Sequence, residues 1–141
     1  MRFVLTAISG TKYDDDVYEV VLPTLDGRIG VMEHHMPLFG VITTGVIAVR
    51  KHALDPDTSL EYFATYGGAL EVSDNVLKVL VDEVHTPEEI NEAEAQRAMD
   101  EAVRMKTEAK DQASLENAQA LIDRHTVRLN IAKLKRRHHG R

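Results

Sequence analysis

The sequence predicts an α+β chain of two domains: an antiparallel β-sandwich or flattened barrel over residues 1–86, then an antiparallel α-helical hairpin with a basic C-terminal tail over 87–141. Three observations carry that expectation. Up to about His85, short runs rich in Val, Ile, Leu, Tyr and Phe are separated by turn-forming residues. At Thr86-Pro87-Glu88-Glu89 the apolar period lengthens to that of a helix. Charge divides the chain as well: residues 1–86 carry 6 Lys and Arg against 13 Asp and Glu, whereas residues 112–141 carry 7 against 2.

The expected strands are MRFVLTAIS, VYEVVLP, GRIGVM, GVIAVRK, LEYFATY, GALEV and NVLKVLV. Between them stand Gly10 with Asp14–Asp16, then Asp26-Gly27, Asp55-Pro56-Asp57, Gly67-Gly68 and Ser73-Asp74-Asn75. Strands this short and this closely spaced bury one face each, which is the requirement of two packed sheets. In the second half Thr86 is the expected cap, Pro87 suits the first helical position, and Glu88 and Glu89 favour the positive end of the helix dipole. Small apolar residues then recur at Ala95, Ala98, Met99, Ala102, Met105 and Ala109. After a break at Lys110–Ser114, with Ser114 the expected cap, a second stripe runs through Leu115, Ala118, Ile122, His125, Leu129 and Ala132. An alanine-rich face lets two helices approach closely as a hairpin. So short a hairpin buries little area and is a natural moving part.

Composition excludes several functions. The chain has no Cys, which removes disulfides, thiolate zinc sites and a cysteine nucleophile. No Trp and seven other aromatics disfavour nucleic-acid binding by base stacking. The N-terminal apolar run is too short for a signal peptide, and no stretch approaches the ~20 apolar residues of a membrane span, so a soluble protein is expected.

Candidate sites weigh little one by one. Adjacent His34 and His35 on extended chain point to opposite faces and do not readily hold one ion. His52 and His85 are not at ligand spacing, and His125 falls within an apolar stripe. Asp14-Asp15-Asp16 lacks the alternation, turn glycine and distal Glu of a calcium loop, and reads as a solvated acidic loop. The glycine-rich stretches match neither nucleotide-binding fingerprint, and no serine sits in a nucleophile motif. The expectation is therefore no catalytic residue, no metal and no cofactor. What remains is the basic run RHTVRLNIAKLKRR, suited to an acidic partner surface.

Taken together, GRIGVMEHHMPLFGVITTGVIAVR followed by FATYGGALEVSDNVLKVLVDEV resembles the epsilon subunit of bacterial F-type ATP synthases. The ordered signals are Gly27 to Gly30, His35-Met36-Pro37-Leu38, Gly45-Val46 and Gly67-Gly68-Ala69-Leu70-Glu71-Val72. The resemblance implies a non-catalytic rotor part of the central stalk, peripheral on the cytoplasmic face of the bacterial plasma membrane and touching the membrane only through the complex. The sandwich would bind the gamma subunit and the c-ring, through Arg28, Glu33, His34, His35, Met36, Pro37 and Leu38. The hairpin would either fold down on the sandwich or extend toward the alpha and beta subunits, where it would restrain ATP hydrolysis with Arg124, Arg128, Lys133, Lys135, Arg136 and Arg137 meeting beta.

Two departures stand out. Many members have Pro-Gly-His-x-Pro where this chain has Glu33-His34-His35-Met36-Pro37. Some bind ATP through an Ile/Leu-Asp-x-x-Arg-Ala motif, and here Ile90-Asn91-Glu92-Ala93-Glu94-Ala95 puts Asn91 for Asp and Glu94 for the phosphate-facing Arg. Like charge at Glu94 predicts weak or absent ATP binding. The rival reading is a free-standing β-sandwich module for a ligand or peptide, dimerising through its hairpin.

Overall fold

In β1 (Arg2–Ala7) every second residue is buried, Phe3, Leu5 and Ala7 facing inward while Arg2 stays exposed. That alternation is the simplest consequence of a pleated strand with one face on a core. The computed structural model describes residues 1–139, with side chains through Leu134. The further strands are β2 (Gly10–Asp16), β3 (Glu19–Thr24), β4 (Gly27–Met32), β5 (Leu38–Arg50), β6 (Glu61–Ser73), β7 (Val76–Val81) and β8 (Val84–His85). Hydrogen bonds join them in the order β2-β1-β7-β6-β5-β3-β4, with β8 against β6. Strands β5 and β6, 13 residues each, belong to both layers of the sandwich. The first part of β5 lies beside the β7-paired end of β6, and its last part lies beside β3.

Along the path from β2 to β4 the pairs are antiparallel with one exception. β1 and β7 run parallel, in register from Arg2–Val76 to Ala7–Val81. That register sets Phe3 beside Leu77, Leu5 beside Val79 and Ala7 beside Val81, so the inward rows of both strands coincide. The core they build also takes Val20, Leu22, Val31, Ile42, Ile47, Val49, Leu70 and Val72. Tyr13 from β2 covers it, its ring 5.4 Å from Phe3 and 5.9 Å from Phe63.

Gly67-Gly68, expected as a turn, lies inside β6. Gly67 holds φ +130°, and a Cβ on Gly68 would stand 2.2 Å from the Leu80 carbonyl oxygen. Gly67 is glycine for its left-handed backbone and Gly68 because the β7 backbone nearly touches it, not because the chain reverses. Asp14–Asp16, expected as an acidic loop, are the end of edge strand β2. Arg2 donates to both Asp14 carboxylate oxygens at 2.9 Å, and Lys51 Nζ lies 2.7 Å from Asp15. These bonds hold both aspartates below the usual carboxylate range.

Residues 85–141 form a second compact unit, the first spanning 1–84. Thr86 does not start the long helix. Its hydroxyl and amide both reach Glu89 Oε1, at 3.0 and 3.3 Å, around a single 3-10 turn, Pro87–Glu89. Helix α1 (Glu92–Glu108) is capped instead by Asn91, whose Oδ1 accepts the Glu94 amide at 3.0 Å. Helix α2 (Gln112–His139) is preceded by Asp111, whose carboxylate accepts the Ser114 amide at 2.7 Å, so Ser114 donates where it was expected to cap. Buried Ala95, Ala102 and Ala118 are the small side chains of this hairpin, and Lys106 Nζ bridges to Gln119 Oε1 at 2.7 Å.

Gly68→Ala should destabilise the first unit by about 1–3 kcal/mol, because a backbone oxygen cannot step aside for the added methyl. Gly30→Ala, which would meet only a Glu19 side-chain oxygen at 3.4 Å, should change stability by less than ~1 kcal/mol. Urea denaturation of the two variants checks the contrast.

Candidate functional site

The connection between β4 and β5, residues 33–37, is a tight and well-specified turn. The His35 amide donates to the Met32 carbonyl at 3.1 Å, and His34 takes φ 63°, a left-handed value that glycine adopts freely and histidine only at a cost. The His34 amide then donates 2.9 Å to Asn75 Oδ1, in the turn between β6 and β7. His35 Nδ1 lies 2.7 Å from the Met36 carbonyl, and His34 Nε2 lies 4.0 Å from a Glu33 oxygen. Glu33, His34, Met36 and Pro37 are exposed, His35 and Leu38 half-buried. Among the described residues no three His, Asp or Glu side chains are grouped as metal ligands.

Arg28 does not join this cluster. It sits near the start of β4, five residues or about 16 Å of strand away from Glu33. Its Nη1 donates 3.0 Å to the Val46 carbonyl, beside the Thr24–Gly27 turn where Leu25 is exposed. The seven sandwich residues therefore fall into two surfaces rather than one.

Beside the 33–37 turn lies a feature the sequence reading missed. Phe39 is 79% exposed, Leu80 61% and Val41 52%, on the outward face of β5 and β7. The register explains their proximity. One cross-strand row runs Val4, Lys78, Glu71, Phe39, and the next runs Thr6, Leu80, Ala69, Val41. All of these except Val41 line a shallow, mostly apolar groove of about 360 Å³. A contiguous apolar patch of this kind marks a protein contact more often than a solvated face. The signal was present in Leu38-Phe39-Gly40-Val41-Ile42, which is apolar on both faces, as a strand covered on both sides must be.

On α2, Arg124 and Arg128 are one turn apart and half-buried, while Lys133 is exposed and stands about 140° further round the helix. Arg128 Nη1 lies 3.2 Å from His125 Nδ1, and its buried Nε has no hydrogen-bond partner among the described residues. The side chains of Lys135, Arg136 and Arg137 lie outside the described residues. The positions read as a lost ATP motif have their own local work. Asn91 caps α1, and Glu94 sits in its first turn, where a carboxylate favours the dipole.

A family model described as the ATP synthase delta/epsilon chain β-sandwich domain matches residues 1–87. An ATP synthase epsilon chain of a Sulfurihydrogenibium species is 31% identical over 95% of this chain and 98% of its own. That of Chloroflexus aggregans is 34% identical over 87% of each. The chain belongs to the ATP synthase delta/epsilon family. Among solved structures, a chain of the Euglena gracilis mitochondrial ATP synthase shares the fold with TM-score 0.78 at 21% identity, over 93% of this chain and 79% of that one. A chain of the Tetrahymena thermophila mitochondrial ATP synthase central stalk and c-ring matches with TM-score 0.60 at 16% identity, over 96% of both. As a delta/epsilon family member the chain is a non-catalytic subunit.

His125 is held below its ordinary 6.5, first by burial, then by Arg128 and Arg124. A histidine with a lowered folded pKa binds more protons when unfolded, so its contribution to stability is complete above 6.5 and shrinks as pH falls below it. The helical unit should therefore lose order between about pH 7.5 and about pH 5.5, and His125→Gln should reduce that loss. Amide exchange of α1 and α2 at the two pH values measures it.

Proposed function

We propose that this chain is the epsilon subunit of an F-type ATP synthase, a rotor part of the central stalk whose sandwich joins gamma to the c-ring and whose helical hairpin restrains ATP hydrolysis. The rotor assignment follows from the family. The observation that carries the contact reading is the apolar outward face of Phe39, Val41 and Leu80 on a sheet whose other face is already packed on a core. A part that couples two neighbours needs two surfaces. The apolar face and the adjoining Glu33–Leu38 turn are assigned to gamma, a partner it would hold permanently, and the Arg28 end to the c-ring.

The hairpin is assigned the braking role on charge. The second helix is the basic part of an acidic chain, and cations on a long helix fit acidic loops of a catalytic subunit. Arg124, Arg128 and Lys133, with Lys135, Arg136 and Arg137 beyond the described side chains, are the proposed contacts with beta. The bacterial relatives favour a position on the cytoplasmic face of the plasma membrane, held there through the complex. This assignment gives the chain no cofactor.

The test is ATP hydrolysis by the catalytic complex stripped of this chain. Adding the full chain should inhibit, whereas a version ending at Thr86 should bind and not inhibit, since the core is confined to residues 1–84. Ala at Lys133, Lys135, Arg136 and Arg137 should weaken inhibition, by a larger factor at low ionic strength. Failure of the full chain to bind, with a stable homodimer in its place, would overturn the assignment.

Nucleotide should not govern this brake. The isolated chain should bind ATP more weakly than the low micromolar range, as read by calorimetry, because Glu94 sets a negative charge where a cation is wanted. Low-micromolar affinity would refute that account.

A further inference from the structure

We infer that Asn75 is a positioning residue for the Glu33–Leu38 turn, locking it in its contact shape from the neighbouring β6–β7 hairpin. The inference rests on the reading of that turn as part of the gamma contact.

Two turns distant in sequence meet here. Asp74 and Asn75 take φ 51° and 61°, the pair of left-handed values that defines the tight hairpin between β6 and β7. Asn tolerates that conformation, and the hairpin fixes where its side chain points. Asn75 also anchors the parallel β1–β7 pair, its carbonyl accepting the Arg2 amide at 3.2 Å. Its Oδ1 accepts the His34 amide at 2.9 Å, across 41 residues of sequence. The remaining hydrogen bonds of the 33–37 turn are local, from the His35 amide to Met32 and between the His35 ring and Met36.

The lock has a definite task. His34 holds φ 63° without being glycine, a conformation that persists in a non-glycine residue only when its surroundings impose it. Met36 and Phe39, 72% and 79% exposed, lie on either side of the half-buried Leu38 and depend on this turn for their direction. Ordering a turn before a partner arrives removes that entropy cost from the binding step. The side chain of residue 75 thus acts on the contact surface without being required to touch the partner.

Asn75→Gly deletes the acceptor while keeping a residue that suits the hairpin better, so the sandwich still folds. Asn75→Asp keeps the acceptor. In Asn75→Gly the His34 amide should exchange at least several-fold faster while the amides of β6 and β7 keep their rates. Affinity for the gamma-containing complex stripped of this chain should fall roughly threefold to tenfold, the worth of one hydrogen bond. Asn75→Asp should restore both. Unchanged exchange at His34 would overturn the lock. Faster exchange with full affinity would overturn the positioning role, and Met36→Ser then separates the causes. If Met36→Ser weakens binding, the turn does meet gamma and the Asn75 inference alone has failed. If it does not, the contact reading has failed with it.

Discussion

The ladder between β5 and β6 is the constraint on which the rest of the sandwich depends. It runs in register from Leu38–Val72 to Val49–Glu61, and both layers hang from it: β7, β1 and β2 on one side, β3 and β4 on the other. Because side chains alternate along a strand, one register decides every inward and outward position at once. Leu38 and Ile42 turn toward the core, so Phe39 and Val41 must turn outward. The close approach at Gly68 and the left-handed backbone at Gly67 follow from the same strand passing from one layer to the other. A shift of one residue in this ladder would bury Phe39 and Val41 and expose the core.

Much of this architecture was legible in the residues, because period is a direct imprint of burial. The alternation in Phe3-Val4-Leu5 and in Val76-Leu77-Lys78-Val79 marks strands, and the change of period after Thr86 marks helices. The failures have physical reasons. Gly67-Gly68 looks like a turn because glycine serves both reversals and close backbone approach, and only the neighbouring strand tells which. Asp14–Asp16 look like a solvated loop because local propensity cannot see Arg2 and Lys51 arriving from other strands. Thr86 and Ser114 were read as caps on residue type, while Asn91 and Asp111 accept the decisive amides.

The site was less legible than the fold. Glu33–Leu38 form one turn, as their adjacency requires, but Arg28 is separated from them by the length of its own strand. Phe39, Val41 and Leu80 went unnoticed because each is an ordinary strand residue until pairing brings the three together. Their role is a property of register, which a sequence states only indirectly. The Asn75–His34 bond is further removed still, since nothing local to either residue announces a partner across 41 positions.

The two compact units differ in what holds them. The sandwich buries Phe, Leu, Ile and Val side chains, each worth about 1.5–3 kcal/mol when removed from water. The helical unit buries fewer large side chains, Val127, Leu129 and Ile131 on α2, together with Ala95, Ala102 and Ala118, which bury one methyl each, roughly 0.8 kcal/mol apiece. Another of its close contacts is an exposed polar bridge, Lys106–Gln119. Here Asn91 and Glu94 are committed to starting a helix, and His125 lies among the cations of α2. The charges of α2, with His125 among them, respond to proton concentration and ionic strength.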